Sequence, residues 1–232
     1  MNTNSNTYTI IYASIVVIVV AFLLAFVSSA LSDRIGKNVE LDKKKQILSS
    51  LNADFSGKTD SEVADLYTAT VKADLILNAA GEVLKENGGF AVEVKDENAK
   101  DLAERQLPLY VCEWNGETKY VLPLRGAGLW GPIWGYIALN ADKNTVYGVY
   151  FSHESETPGL GAEITKDKFK SQFADKQIRR GDNLTYISVV KKGKESEDTD
   201  FVYAITGGTM TSNGVDAMIK DGMSQYANFL NQ

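Results

Sequence analysis

Six residues, Thr206-Gly207-Gly208-Thr209-Met210-Thr211, stand where an apolar run ending at Ile205 passes into the last amphipathic segment of a 232-residue chain. Two adjacent glycines permit a tight turn and close approach of backbone to a ligand. A helix starting just after them aims free N–H groups and the positive end of its dipole at that turn. The chemistry on offer is anion binding, with phosphate a fitting guest and threonine hydroxyls beside it. An ordinary strand-to-helix turn with Thr209 or Thr211 as N-cap satisfies the same six residues, so the rest of the chain must decide.

Two further clusters bear on the choice. His153-Glu154-Ser155-Glu156-Thr157-Pro158-Gly159-Leu160-Gly161 follows an apolar run, and its proline and glycines predict a rigid loop whose backbone donors could meet a polar ring edge while Leu160 covers an apolar face. Gly126-Ala127-Gly128-Leu129-Trp130-Gly131-Pro132-Ile133-Trp134-Gly135 joins two apolar runs through four glycines and two tryptophans, and it could line a ring-shaped ligand or be a wide turn whose indoles fill the core. His153, Glu154, Glu156 and Thr209 do not make a hydrolase, because the G-x-S-x-G nucleophile elbow is missing. One histidine and one cysteine also fall short of the three or four ligands of a zinc site and the four of an iron–sulfur cluster. Cys112, in an alternating apolar run, reads as a buried structural thiol.

The elements that must hold these loops are mostly short strands, expected at residues 75–77, 90–94, 107–114, 120–124, 134–139, 145–152, 184–191 and 201–205. Turn signals at Asn115-Gly116 and residues 141–144 make neighbouring strands antiparallel. Residues 165–173 read as a short surface helix. A long closing helix is expected from Val215, Met218, Ile219, Met223, Tyr226, Phe229 and Leu230, which recur at three and four residues. The fold class is α+β, a mostly antiparallel sheet with packed helices.

Charge is distributed unevenly. All 24 basic and 30 acidic residues lie from Asp33 onward, and residues 10–31 are almost wholly apolar. As a helix these 22 residues reach about 33 Å, enough to cross a bilayer once, and they exceed the roughly 7–15 apolar residues of a cleaved signal. The chain therefore divides into an N-terminal membrane anchor at 1–32, a linker helix at 33–56 and a soluble domain at 57–232. No Asp, Glu, Lys, Arg or His lies within residues 10–31 to mark an ion path. A net charge of −6 argues against nucleic acid as a partner. Arg34, Lys37 and Lys43 to Lys45 follow the anchor, which by charge alone puts the soluble domain in the cytoplasm.

Taken in order behind one anchor, Gly126 to Gly131 (G-x-G-L-W), Glu156 to Gly161 (E-T-P-G-L-G) and Thr206 to Thr211 (S-G-A-T-x-T) resemble the FMN-binding family across essentially the whole chain. Within that family the pattern is similar to the C subunits of sodium-pumping NADH:quinone oxidoreductases, with the G subunits of Rnf complexes as the alternative. The resemblance implies FMN esterified through its phosphate to Thr209 and installed by a separate flavin transferase. It implies flavin contacts from Gly207, Gly208, Thr211, Glu156, Thr157, Gly159, Leu160, Gly161, Leu129 and Trp130. It further implies partner membrane subunits, membrane lipid around the anchor, and a place in the bacterial inner membrane with the soluble domain on the periplasmic side, against the lysine count. A membrane-anchored scaffold without flavin is the reading from another class. Thr206 stands where the family usually has Ser, and Gly208 where it has Ala, which bears on how well a transferase recognises the turn.

Overall fold

The structure is a computed structural model describing residues 5–181 and 183–232. It separates into two units, Met1–Lys43 and Lys44–Gln232. The first is the greater part of helix α1 (Asn6–Ser50), long and apolar enough to cross a membrane by length and composition. Its large apolar side chains, from Ile10 through Phe26 to Val39, are all exposed. The linker helix expected at residues 33–56 is continuous with this one as far as Ser50, and residues 51–56 are not helical. Gly36 is the lone breaker on the way, too weak to stop a 45-residue helix. The stop is made at Asn52, which adopts φ 57°. Its N–H and that of Ala53 donate to the carbonyls of Ser49 and Leu48, a Schellman closure.

The second unit begins with the last turns of α1, where Ile47 and Leu48 are fully buried, as is Leu51 just beyond the helix. Helix α2 (Asp60–Thr70) follows, unforeseen from its weak apolar pattern, and starts with a capping box between Thr59 and Glu62. Next come β1 (Val71–Leu77), β2 (Val83–Lys85) and the one-turn α3 (Val94–Glu97). The strand expected at 90–94 does not form. The Asp74 carboxylate accepts the N–H groups of Gly88 and Phe90, curling that stretch into a 3-10 turn that lays Phe90 edge-on against Tyr67.

Strands β3 (Leu107–Trp114), β4 (Glu117–Ala127), β5 (Pro132–Asn140) and β6 (Val146–His153) continue the chain. They complete a six-stranded antiparallel sheet of order β2-β1-β3-β4-β5-β6. The short α4 (Asp167–Lys170) and the ribbon β7 (Arg179–Arg180) and β8 (Asn183–Leu184) precede β9 (Ile187–Val190) and β10 (Asp200–Tyr203). The single strand expected at 184–191 is broken because Tyr186 takes φ 59° so that its N–H and that of Thr185 both reach the Ile178 carbonyl. β9 and β10 pair in parallel, the exception to the antiparallel rule. Helix α5 (Thr209–Ser224) and the single turn α6 (Ala227–Leu230) close the fold.

Both faces of the sheet are covered, which is why β4 to β6 are apolar on both sides. On one face Leu122, Ile137 and Val149 stand in register and form the main core with Val215, Met218, Ile219 and Met223 of α5. On the other, Gly148 lies so near the end of α1 that a β-carbon there would sit 2.6 Å from the Ser50 carbonyl, and Trp134 donates to Gln46 at 3.1 Å. α5 lies close on β4 because glycines open the seam. A β-carbon at Gly126 would be 2.7 Å from that of Met218, and one at Gly214 would collide with the Ala127 carbonyl. That contact brings the start of α5 to the end of β4, and the candidate loops gather there. Cys112 is buried in β3, and burial pushes its thiol up to about 12.

Candidate functional site

Glu156 joins the three loops. Its Oε1 accepts the backbone N–H of Trp130 at 2.9 Å, after β4, and its Oε2 accepts the Thr211 hydroxyl at 2.5 Å, in the first turn of α5. Its own N–H donates to Nδ1 of His153, the last residue of β6, at 3.2 Å. Burial by itself would raise this carboxyl, which is 5% exposed. The bonds from Thr211 and from the Trp130 and Leu129 backbone outweigh burial and hold it below the ordinary glutamate range.

The glycines of the motifs keep this clasp closed. A β-carbon on Gly128 would collide with Glu156 Oε1, and one on Gly161 with Glu156 Oε2 and the Thr211 hydroxyl. Gly207 adopts φ 80°, and a β-carbon there would also meet Leu160 Cδ2 at 2.7 Å. At Gly208 a β-carbon would lie 3.1 Å from Ile205 Cγ2, so the glycine found in place of the family's alanine suits the branched Ile205 behind it.

The two threonines of α5 have different surroundings. Thr211 is 1% exposed and committed to Glu156, whereas Thr209 is half-buried, is the first residue of the helix, and has no hydrogen-bond partner among the described residues. Neither caps the helix: the N-cap position is Gly208, with no side-chain bond. The first helical bond is from Ser212 N–H to the Gly208 carbonyl. The N–H groups of Thr209, Met210 and Thr211 thus have no protein acceptor among the described residues, and α5 offers an open N-terminus.

Leu129, Trp130, Leu160 and Met210, carried by the loops that Glu156 joins and by the first turn of α5, expose apolar surface. Thr157 and Gly159 lie outward on the same loop, where the Thr157 carbonyl takes the N–H groups of Leu160 and Ala162 and the Glu163 carboxylate takes that of Gly159. A neighbouring cleft of about 580 Å³ takes Gly159 and Thr206 into its wall but none of Thr209, Leu129, Trp130 or Glu156. His153, Glu163 and Ser212 carry no role in the sequence reading. Ser212, one residue beyond the motif, accepts the Ile205 N–H at 3.0 Å and ties β10's exit to α5. His153 engages the Glu156 N–H through Nδ1 and makes no hydrogen bond to Thr209.

The FMN-binding domain family matches residues 128–224, the stretch that holds the Glu156 clasp and the turn before α5. The C subunit of the Na(+)-translocating NADH-quinone reductase of Pasteurella multocida is 32% identical over 80% of this chain and 77% of its own length. Its counterpart from Pseudomonas aeruginosa is 29% identical over 97% of this chain and 96% of its own. Among solved structures, the C subunit of the Parabacteroides distasonis reductase superposes with a TM-score of 0.81 at 40% identity, covering 87% of this chain and 98% of that one. NqrC of Shewanella oneidensis gives 0.68 at 25%, covering 83% and 98%. The chain belongs to the NqrC family, the C subunits of Na(+)-translocating NADH-quinone reductases.

Proposed function

We propose that this chain is an electron-transfer subunit of a membrane-bound, sodium-translocating NADH:quinone oxidoreductase, carrying FMN esterified through its phosphate to Oγ1 of Thr209. The observation that carries the reading is the contrast between neighbouring hydroxyls. Thr211 is buried and bonded to Glu156, while Thr209 is accessible, unpartnered among the described residues and set on the first residue of α5 beside three free N–H donors. A phosphoester there gains about 0.3–2 kcal/mol from the helix end. When bound, FMN supplies the redox chemistry. The chain's part is to position it: Glu156 holds the three loops, and Leu129, Trp130, Leu160 and Met210 offer apolar surface to a flat ring.

The partners in this reading are the other subunits of the reductase, a flavin transferase that loads Thr209, and lipid around residues 10–31. Sodium passage falls to other subunits, since residues 10–31 of the anchor hold no Asp, Glu, Lys, Arg or His. The soluble domain faces the periplasm despite its lysines, because long domains translocate largely regardless of charge. An alkaline phosphatase fusion at Gln232 is expected to be active, and an inactive but intact fusion would overturn the orientation.

Coexpression with a flavin transferase tests the carrier reading. The denatured protein is expected to fluoresce in the gel, and the peptide containing Thr209 to gain the mass of one FMN. A dark band with an unmodified peptide would leave a flavin-free scaffold.

A further inference from the structure

His153 is the chain's only histidine, and its Nδ1 accepts the N–H of Glu156 at 3.2 Å. An imidazole nitrogen accepts only when it carries no proton, so this contact belongs to the neutral side chain. The residue whose backbone is held is the one whose carboxylate holds Trp130 and Thr211, and therefore all three loops. Imidazoles gain their charge between about pH 5 and 8, where no other ordinary side chain changes state.

The charged groups on the elements packed against the end of β6 are few. Its own loop carries Glu154 and Glu156. The Gly161–Thr165 turn carries Glu163, engaged with the Gly159 N–H, and α4 carries Lys168 with the paired Asp167 and Lys170. Across the sheet β5 presents Ile133, and the first turn of α5 has no acidic side chain. Of these groups Glu156 is the one bonded to His153, through its own N–H.

We propose that His153 is a positioning residue for the Glu156 clasp: neutral, it fixes the Glu156 backbone, and protonated, it releases that backbone and turns toward the Glu156 carboxylate, loosening Trp130 and Thr211. The inference rests on the carrier reading only for why these loops matter, and its test needs no flavin.

The full chain is prepared in detergent without flavin and with ¹⁵N-histidine, so that the single imidazole reports its own titration. Trp130 is followed as the fluorescence difference between this chain and its Trp130→Phe variant at each pH. The Trp130 signal is expected to shift with the midpoint of the imidazole titration. In His153→Asn the amide Oδ1 replaces Nδ1 as an acceptor that does not titrate. That variant is expected to hold the high-pH signal throughout, while His153→Phe holds the low-pH one. A Trp130 signal that stays flat while the imidazole titrates, or that moves equally in His153→Asn, would overturn the proposal. Circular dichroism checks folding, and should His153→Phe unfold, the original chain and His153→Asn decide between them. Absence of flavin attachment leaves this result untouched, so the two readings fail separately.

Discussion

A Thr209→Val chain coexpressed with a flavin transferase is expected to carry no covalent FMN at all, while its thermal unfolding stays close to that of the parent. Valine keeps the shape of threonine and removes the one atom that can form the ester. The hydroxyl lost at 209 holds nothing else among the described residues, so folding has little to lose. Thr211→Val makes the informative partner. From the motif alone it should leave most of the attachment intact, and the geometry adds a cost, because a buried hydroxyl that donates to Glu156 at 2.5 Å disappears. Losing a hydrogen bond to a charged acceptor costs about 1.5–3 kcal/mol, so this variant should melt at a visibly lower temperature yet still be labelled in its folded fraction. Mass spectrometry of the peptide that contains both threonines, alongside melting curves, separates the two effects. FMN on the Thr209→Val peptide, or equal loss of label at unchanged stability in both variants, would remove Thr209 as the attachment residue.

The parts of the fold legible in the sequence are those set by neighbours along the chain. β3 to β6 are visible because alternating or continuous apolar runs are separated by turn residues such as Asn115-Gly116, and α5 because Val215, Met218, Ile219 and Met223 fall on one face. The errors lie where a distant group overrides local preference. Phe90 and its neighbours have strand-like side chains, but the Asp74 carboxylate captures their backbone from β1. The periodic pattern of the last helix runs on to Leu230. The helix nonetheless breaks at Tyr226, whose buried ring sends its hydroxyl to the Pro108 carbonyl at 2.8 Å. Helix α2 is the opposite case, since Thr59 and Glu62 are a local signal and its weak apolar stripe hid it. In the site, glycine-rich turns mark the three loops, but nothing local couples Glu156 to Thr211, which are 55 residues apart. That coupling comes from the sheet, whose register places the ends of β4 and β6 beside the start of α5.

Glu156→Gln is expected to destabilise the soluble unit by about 3 kcal/mol at pH 7, because the amide keeps one acceptor oxygen for two donors and gives up the charge that strengthens both bonds. For a unit of this size that lowers the melting temperature by about 6–12 °C. The pH dependence distinguishes this clasp from ordinary packing. The folded-state Glu156 carboxyl lies below its ordinary value, since the bonds from Thr211 and the Trp130 and Leu129 backbone outweigh burial. A group depressed on folding binds protons more readily when unfolded. The part of its stabilisation that rests on its own ionisation is therefore present above the unfolded value of about 4.3, and it is lost as the pH falls through the lower folded value. Urea unfolding of the parent and of Glu156→Gln at a series of pH values should give curves that are far apart at pH 7 and converge below about pH 4. A gap that persists unchanged into acid would mean that shape, not the carboxylate's charge, closes the clasp. His153→Asn measured in parallel adds a second criterion. The acid convergence between parent and Glu156→Gln is expected to survive in that background, because the bonds that depress the carboxyl come from Thr211 and from the loop after β4.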